Sequence, residues 1–238
     1  MGDGMAAQIL DYTLNDGVAV LTMDDGRANA LGHDMINAIK AGLERAAGEA
    51  NAIALFGREK RFCAGFDLEV MAAGPEHVAP LVSAGANLLM EIYEHKLPVV
   101  IGCTGHALAA GALLLLAADL RIGAEGEFKI GLPEVAIGMT MPVFGLELAR
   151  DRLAANHLTA AVTQARIYNP HEAAQIGYLD QTAPLDTLRE TTITRARELG
   201  ALSQPAFANT KRKEREATIA HIRATLVSDS KTFDGAKS

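Results

Sequence analysis

Strand-like and helix-like segments alternate through the first half of this chain, and that order constrains the fold more than any other feature. Within Val18-Ala19-Val20-Leu21-Thr22-Met23 the β-branched Val18, Val20 and Thr22 share one face. Asn15-Asp16-Gly17 just before them reads as a hairpin turn between strands over 7–13 and 17–23. From Asp34 to about residue 48, Ile36, Ile39, Leu43 and Ala46 recur at helical spacing, predicting an amphipathic helix. Residues 52–56 read as a short buried strand, followed by the polar connection Gly57-Arg58-Glu59-Lys60-Arg61. Residues 77–95 read as a helix, 98–101 as a buried strand, 110–118 as a helix and 119–122 as a strand. Such a β-α-β-α order predicts an α/β architecture with crossover helices. Beyond about residue 143 the pattern is almost wholly helical, with Pro170 and Pro184 as punctuation.

Composition sets outer bounds on function. The 238 residues suffice for one large domain, or for a core with a smaller appendage. With 49% apolar and 21% charged residues the chain has an ordinary globular make-up. A formal charge of −7 argues against broad nucleic-acid binding, which needs a concentrated basic surface. The two cysteines, Cys63 and Cys103, sit in apolar or Gly/Ala-rich surroundings, which points away from a disulfide framework and towards the cytoplasm. No secretory signal is visible in Met1-Gly2-Asp3-Gly4-Met5, and the longest apolar run, 107–118, is too short to span a bilayer. The seven histidines form no H-x-x-x-H pair and the cysteines no C-x-x-C, so no metal site is expected.

The chemistry centres on two small-residue turns and one carboxylate. Phe62-Cys63-Ala64-Gly65-Phe66-Asp67 and Gly105-His106-Ala107-Leu108-Ala109-Ala110-Gly111 each let a ligand approach the main chain closely. Ala64 precedes a helix expected near Phe66, and Ala110 lies in the first turn of the 110–118 helix, where backbone N–H groups lack intrahelical partners. Two such donors meeting at one oxygen stabilise an enolate or a tetrahedral anion. The same Ala/Gly runs equally permit tight helix–strand packing. Glu134 can move a proton; following Pro133, it also suits the start of a helix.

These segments resemble the crotonase (enoyl-CoA hydratase/isomerase) superfamily. Phe62-Cys63-Ala64-Gly65-Phe66-Asp67-Leu68 is similar to its F-x-A-G-x-D-[IL] segment. The stretch from Pro98 through Gly105, Ala110-Gly111 and Ala118-Asp119-Leu120-Arg121 resembles its second signature, and Gly131-Leu132-Pro133-Glu134 with Gly138 its third. The likeness runs over roughly residues 8–235. It implies a spiral of ββα units over 1–190 that binds an acyl-CoA thioester, and a helical C-terminal trimerisation region over 191–238. Ala64 and Ala110 would hold the thioester oxygen, with Phe66 and Asp67 beside it, and the coenzyme A would belong to the substrate, with no separate cofactor. Arg27-Ala28-Asn29-Ala30-Leu31 resembles the family's segment near the CoA moiety, although a plain loop entering a helix explains it equally well. Lys211, within Lys211-Arg212-Lys213-Glu214-Arg215, could meet CoA phosphates from a neighbouring subunit of a homotrimer or dimer of trimers; a solvated helix face is the plainer reading.

One departure from the family pattern bears on the reaction. Hydratases of this family carry two glutamates that grip a water molecule. Leu113 stands at the first of those positions and Glu134 at the second. Leucine cannot orient water, whereas one glutamate suffices to lift a proton from one carbon and return it to another. That is the pattern of Δ3,Δ2-enoyl-CoA isomerases, which 131–142 and Gly111-Ala112-Leu113-Leu114 also resemble. The expected reaction is a shift of a 3-enoyl-CoA to a 2-enoyl-CoA. The alternatives are another crotonase reaction, such as hydration, and a non-catalytic acyl-CoA binder. His106 is expected to line the site at most, Asp67 to cap a helix, and Asp119 to serve positioning.

Overall fold

Asp16 and Gly17, at φ 47° and 77°, turn the chain between β1 (Leu10–Asn15) and β2 (Val18–Met23), which pair antiparallel. Positive φ at both central residues is what a two-residue hairpin turn requires. The computed structural model describes residues 9–232. The segment Met1–Met5, residues 7 and 8 of the expected first strand, and residues 233–238 of the expected C-terminal region lie outside the described residues.

After the hairpin, α1 (His33–Glu49) crosses over to β3 (Ala52–Phe56), which lies parallel to β2. From there the chain repeats one move, placing a strand in a large sheet and the next in a small one. Thus β3 is followed by β4 (Lys60–Cys63), then by α2 (Leu68–Met71) and α3 (Pro75–Tyr93). Next come β5 (Val99–Cys103) and β6 (Gly105–Leu108), then α4 (Ala110–Ala117). β7 (Leu120–Ala124) and β8 (Ile130–Gly131) follow. The large sheet has the order β1-β2-β3-β5-β7-β9, and the small one β4-β6-β8. Among the described residues, all strand-to-strand pairings after the first hairpin are parallel, and the only antiparallel contacts are the isolated bridges Arg58–Arg61 and Ile130–Tyr168. This is the spiral of ββα units that the resemblance implied.

The last part of the chain holds α5 (Val143–Arg152), α6 (Pro170–Ile176), β9 (Gln181–Ala183), α7 (Leu185–Gly200) and α8 (Gln204–Thr232). Val18, Val20, Ala54, Phe56 and Val100 pack beneath Ile193, Ala196 and Leu199 of α7. Their neighbours Ala19, Leu21, Ile53, Leu55 and Ile101 face the main core with α1, α3 and α4. Burial on both faces is why these strands read as unbroken apolar runs rather than alternating ones. Thr22, predicted to share a face with Val18 and Val20, accepts a hydrogen bond from Arg189 at 3.2 Å.

Two expectations change. The polar connection 57–61 runs into β4, and the turn beginning at Gly105 opens as strand β6. Short strands carrying glycine or charge show no period of two and escape sequence reading. Beyond 143 the described chain is almost wholly helical, with the three-residue β9 adding a parallel edge to β7. The division placed after residue 190 falls inside α7, whereas α8 packs on α3 and α5.

Candidate active site

The two small-residue turns meet backbone to backbone. A Cβ on Gly111 would lie 2.2 Å from the Cys63 carbonyl oxygen. One on Gly65, at φ 104°, would lie 2.9 Å from the Ala109 Cβ and 3.6 Å from the Ala110 nitrogen. Any side chain at either position would push the turns apart. Ala109, at φ 51°, turns the chain from β6 into α4. Its N–H donates to the Gly131 carbonyl at 3.0 Å, and its carbonyl accepts from Ala112 and Leu113 at 2.8 and 3.1 Å. The Ala110 N–H then has no acceptor among the described residues. It lies at the positive end of a buried helix, as expected of an oxyanion donor.

The first turn corrects the expectation for Ala64. Its N–H already donates to the Ala28 carbonyl at 3.1 Å, so it cannot serve an incoming oxygen without breaking that bond. Two residues on, Phe66 forms a parallel bridge with Leu31. In that bridge Leu31 N donates to Gly65 O at 2.8 Å and Asp67 N to Leu31 O at 3.3 Å. A parallel bridge uses the flanking residues' groups, which leaves the Phe66 N–H without an acceptor among the described residues. Phe66 thus offers a free donor in this turn, where the sequence had marked it as a neighbouring binding residue. Nothing in residue type reports which amide a neighbouring loop occupies.

Arg27, Ala28, Ala30, Ala64, Phe66 and Asp67 line one cleft of about 590 Å³. Asn29 braces it. Fully buried at φ 52°, its amide donates to Met23 O at 3.0 Å and Phe62 O at 3.2 Å, tying the 27–31 loop to the first turn. Asp67 caps α2 by accepting from the Glu69 N–H at 2.9 Å, as anticipated. Arg27 is exposed at the cleft's rim, 3.9 Å from an equally exposed Glu69, a pairing too solvated to hold it.

Glu134 follows the small sheet and, like Ala110 and Leu113, is not among the residues lining that cleft. Leu108 pairs with Gly131 in β8, and Glu134 follows three residues later. Its backbone carbonyl accepts from Ile137 and Met139 at 3.1 and 2.8 Å, which fixes the bend. The side chain caps nothing, although a short 3₁₀ turn begins at Val135. Glu134 is only 6% exposed, and its Oε2 has no hydrogen-bond partner. Burial pushes the carboxyl up to about 7, with the Glu134 backbone N–H pulling the other way. Leu113 is buried and packs towards Gly145 at the start of α5, with Met141 beside it, giving an apolar wall rather than a second carboxylate.

Other expected residues lie elsewhere. The His106 Nδ1 accepts from the Lys129 N–H at 3.0 Å and its ring meets Phe128 edge-on. Lys211 is not among the residues of the cleft. Its Nζ sits 2.7 Å from Asp119 Oδ2, with both side chains buried, and Arg215 holds the other oxygen at 2.8 Å. The run 211–215 is therefore not a uniformly solvated face either: Arg212, Lys213 and Glu214 are exposed, whereas Lys211 and Arg215 point inward. Among the described residues, no group of three or more His, Cys, Asp or Glu is placed to hold a metal ion, and no helix is long and apolar enough to cross a membrane.

Against known proteins, the sequence model for enoyl-CoA hydratase/isomerase matches residues 13–236. A probable enoyl-CoA hydratase of Rhodobacter capsulatus is 33% identical over 216 residues, covering 87% of this chain and 81% of that protein. Human mitochondrial enoyl-CoA delta isomerase 1 is 26% identical over 222 residues, covering 91% and 74%. Among solved structures, a Mycobacterium tuberculosis protein, described as an enoyl-CoA isomerase in one structure and as a probable enoyl-CoA hydratase in another, superposes with a TM-score of 0.91 at 33% identity, the first covering 96% of this chain and 100% of the other.

Proposed function

The chain belongs to the enoyl-CoA hydratase/isomerase family, and from that premise we propose that it moves the double bond of a 3-enoyl-CoA into conjugation with the thioester. The observation that carries this reading is a buried carboxyl with an unpartnered oxygen, Glu134, in a chain where buried Leu113 fills the family's other glutamate position. The thioester oxygen accepts from the Phe66 and Ala110 N–H groups, each worth ~3–4 kcal/mol in favourable cases. Glu134 takes a proton from C2. The electron pair left behind moves into the C2–C1 bond and onto the oxygen, giving a dienolate. The protonated Glu134 then gives its proton to C4, and the C3–C4 double bond becomes C2–C3. A carboxyl held at about 7 suits both halves, since it can accept and return a proton near neutral pH.

In this reading the exposed Arg27 at the rim of the cleft meets CoA phosphates, a role supported by its position and its solvated, weak pairing with Glu69. The long α8 would serve assembly as a homotrimer or a dimer of trimers. The buried thiols of Cys63 and Cys103 suit the reducing cytoplasm. Hydration is the second reading, favoured by the R. capsulatus relative. A paired assay separates the two: trans-3-hexenoyl-CoA is followed for appearance of the conjugated thioester, and crotonyl-CoA for its loss. The expected result is isomerisation at least 100-fold faster than hydration, since losing one acid–base group costs roughly that factor or more. Fast hydration of crotonyl-CoA would overturn the single-glutamate reading. Binding of CoA esters without turnover of either would make the protein a binder.

A further inference from the structure

We propose that Lys211 and Arg215 of the C-terminal helix position the Ala110 oxyanion donor, by gripping Asp119 at the opposite end of the same short helix. This rests on the assignment of Ala110 as a donor. The eight residues of α4 are all buried and span ~12 Å. At one end stands the Ala110 N–H. At the other, the Ala118 and Leu116 carbonyls accept from Arg152 of α5 at 2.9 and 3.2 Å. Asp119 follows at once. Its N–H donates to Val99 O at 2.9 Å and its Oδ2 accepts from Val99 N at 2.8 Å, so the junction is clamped to the start of β5.

The α8 cations complete the clamp. Lys211 takes Oδ2 of Asp119 and Arg215 takes Oδ1, with all three side chains no more than 7% exposed. Arg215 also donates to the Tyr93 carbonyl at 2.6 Å and lies 4.4 Å over the Tyr93 ring. The Tyr93 hydroxyl in turn donates to Asp151 at 2.7 Å. The end of α4, the start of β5 and the face of α8 therefore meet at the Asp119 carboxylate, and the ends of α3 and α5 join them through Tyr93 and Arg152. A buried ion pair is weak evidence for added stability, and fixing the arrangement of the elements it joins is the role proposed for it. Because Leu113 of α4 packs towards Gly145 of α5, a shift at Asp119 carries through a rigid, close-packed unit to Ala110. Donor placement matters on this scale, as small misplacements of a preorganised group cost large factors in rate.

The cluster is also sensitive to alkali. Facing Lys211 are Asp119 at the α4–β7 junction, Arg152 of α5, Arg215 and Glu214 of α8, and His95 after α3. Burial brings the ammonium down to about 8, with Asp119 opposing and Arg215 and Arg152 reinforcing the shift. As pH rises through that value Lys211 loses its charge, and Asp119 Oδ2 loses its cation.

The test compares the full-length wild type with Lys211→Met and Lys211→Arg. Methionine keeps the stem's bulk and leaves Arg215 to balance Asp119; Lys211→Gln is the second variant should Lys211→Met not accumulate folded. With trans-3-hexenoyl-CoA, K211M is expected to lose about tenfold in kcat with KM within twofold, which a general loss of stability would not do. K211R is expected to recover most of the loss at pH 7 and to move the alkaline fall in kcat above pH 9. Backbone hydrogen exchange over residues 108–118, followed by mass spectrometry, is expected to quicken in K211M and not in K211R. That second readout needs no turnover, so it decides the proposal even if the isomerase reading fails. Unchanged exchange over 108–118 in K211M would overturn it, as would a lowered melting temperature with kcat intact.

Discussion

Replacing Glu134 with glutamine is expected to lower kcat by between about 100- and 10,000-fold, the range for losing a general acid–base group. Affinity for a non-reacting CoA ester is expected to stay within about threefold, because Glu134 is not among the residues lining the cleft proposed for CoA. The same variant makes a second, opposite prediction. The carboxyl's folded value of about 7 lies above its ordinary 4.5, so the native state holds the proton more tightly than the unfolded chain. This contribution is fully present below about pH 4.5 and is lost as pH rises through about 7. At pH 8 wild type therefore buries an unpaired charge that glutamine removes, a gain on the order of 2 kcal/mol. At pH 4 the two proteins are expected to melt alike. The wild-type kcat/KM should rise with pH and level off above about 7, and the variant's residual rate should lack that limb. A variant that is inactive and also less stable at pH 8 would mean that Glu134 is structural.

Gly111→Ala is the second substitution with a large expected effect. The added Cβ would fall 2.2 Å from the Cys63 oxygen and 2.8 Å from its carbonyl carbon, both backbone atoms that cannot swing aside. The turns must separate, which displaces the Ala110 N–H from the Phe66 N–H across the shared oxygen. The expected loss is about 100-fold or more in kcat, comparable to removing one oxyanion donor. Overpacking of this kind also costs about 1–3 kcal/mol of stability. Gly48→Ala is the matched control: a Cβ there meets nothing within 4 Å, and the residue lies in α1 away from the cleft. Its kcat is expected to equal wild type. Calorimetry with steady-state kinetics on both variants checks the pair, and a Gly111→Ala protein of normal kcat would sever the turns from catalysis.

What the sequence revealed follows from where each signal comes from. The central strands of the large sheet were legible because burial on both faces demands unbroken apolar runs such as Ala52–Phe56 and Val99–Cys103, whereas its three-residue edge strand β9 was not. The small sheet was not, because β4 begins with two exposed charged residues and β8 has two residues, too few for any period. The hairpin at Asp16-Gly17 was legible because a positive φ leaves a mark in residue type. Glu134, Ala110 and Leu113 were singled out by motif and spacing, and the structure adds their burial. The engagement of Ala64 by Ala28 was not, since a main-chain hydrogen bond between distant loops imposes no side chain at either end. Lys211 misled for a related reason: in a run of charges, composition gives no sign of which ones point inward to Asp119.

The central claim is that one carboxyl carries the same hydrogen from C2 to C4. The most direct measurement uses trans-3-hexenoyl-CoA bearing deuterium at C2, turned over in ordinary water by the wild-type protein. A single buried Glu134, shielded from solvent between the two half-reactions, predicts that a measurable share of the label appears at C4 of the conjugated product. Conjugated product with only solvent-derived hydrogen at C4 would contradict the account and require a separate acid.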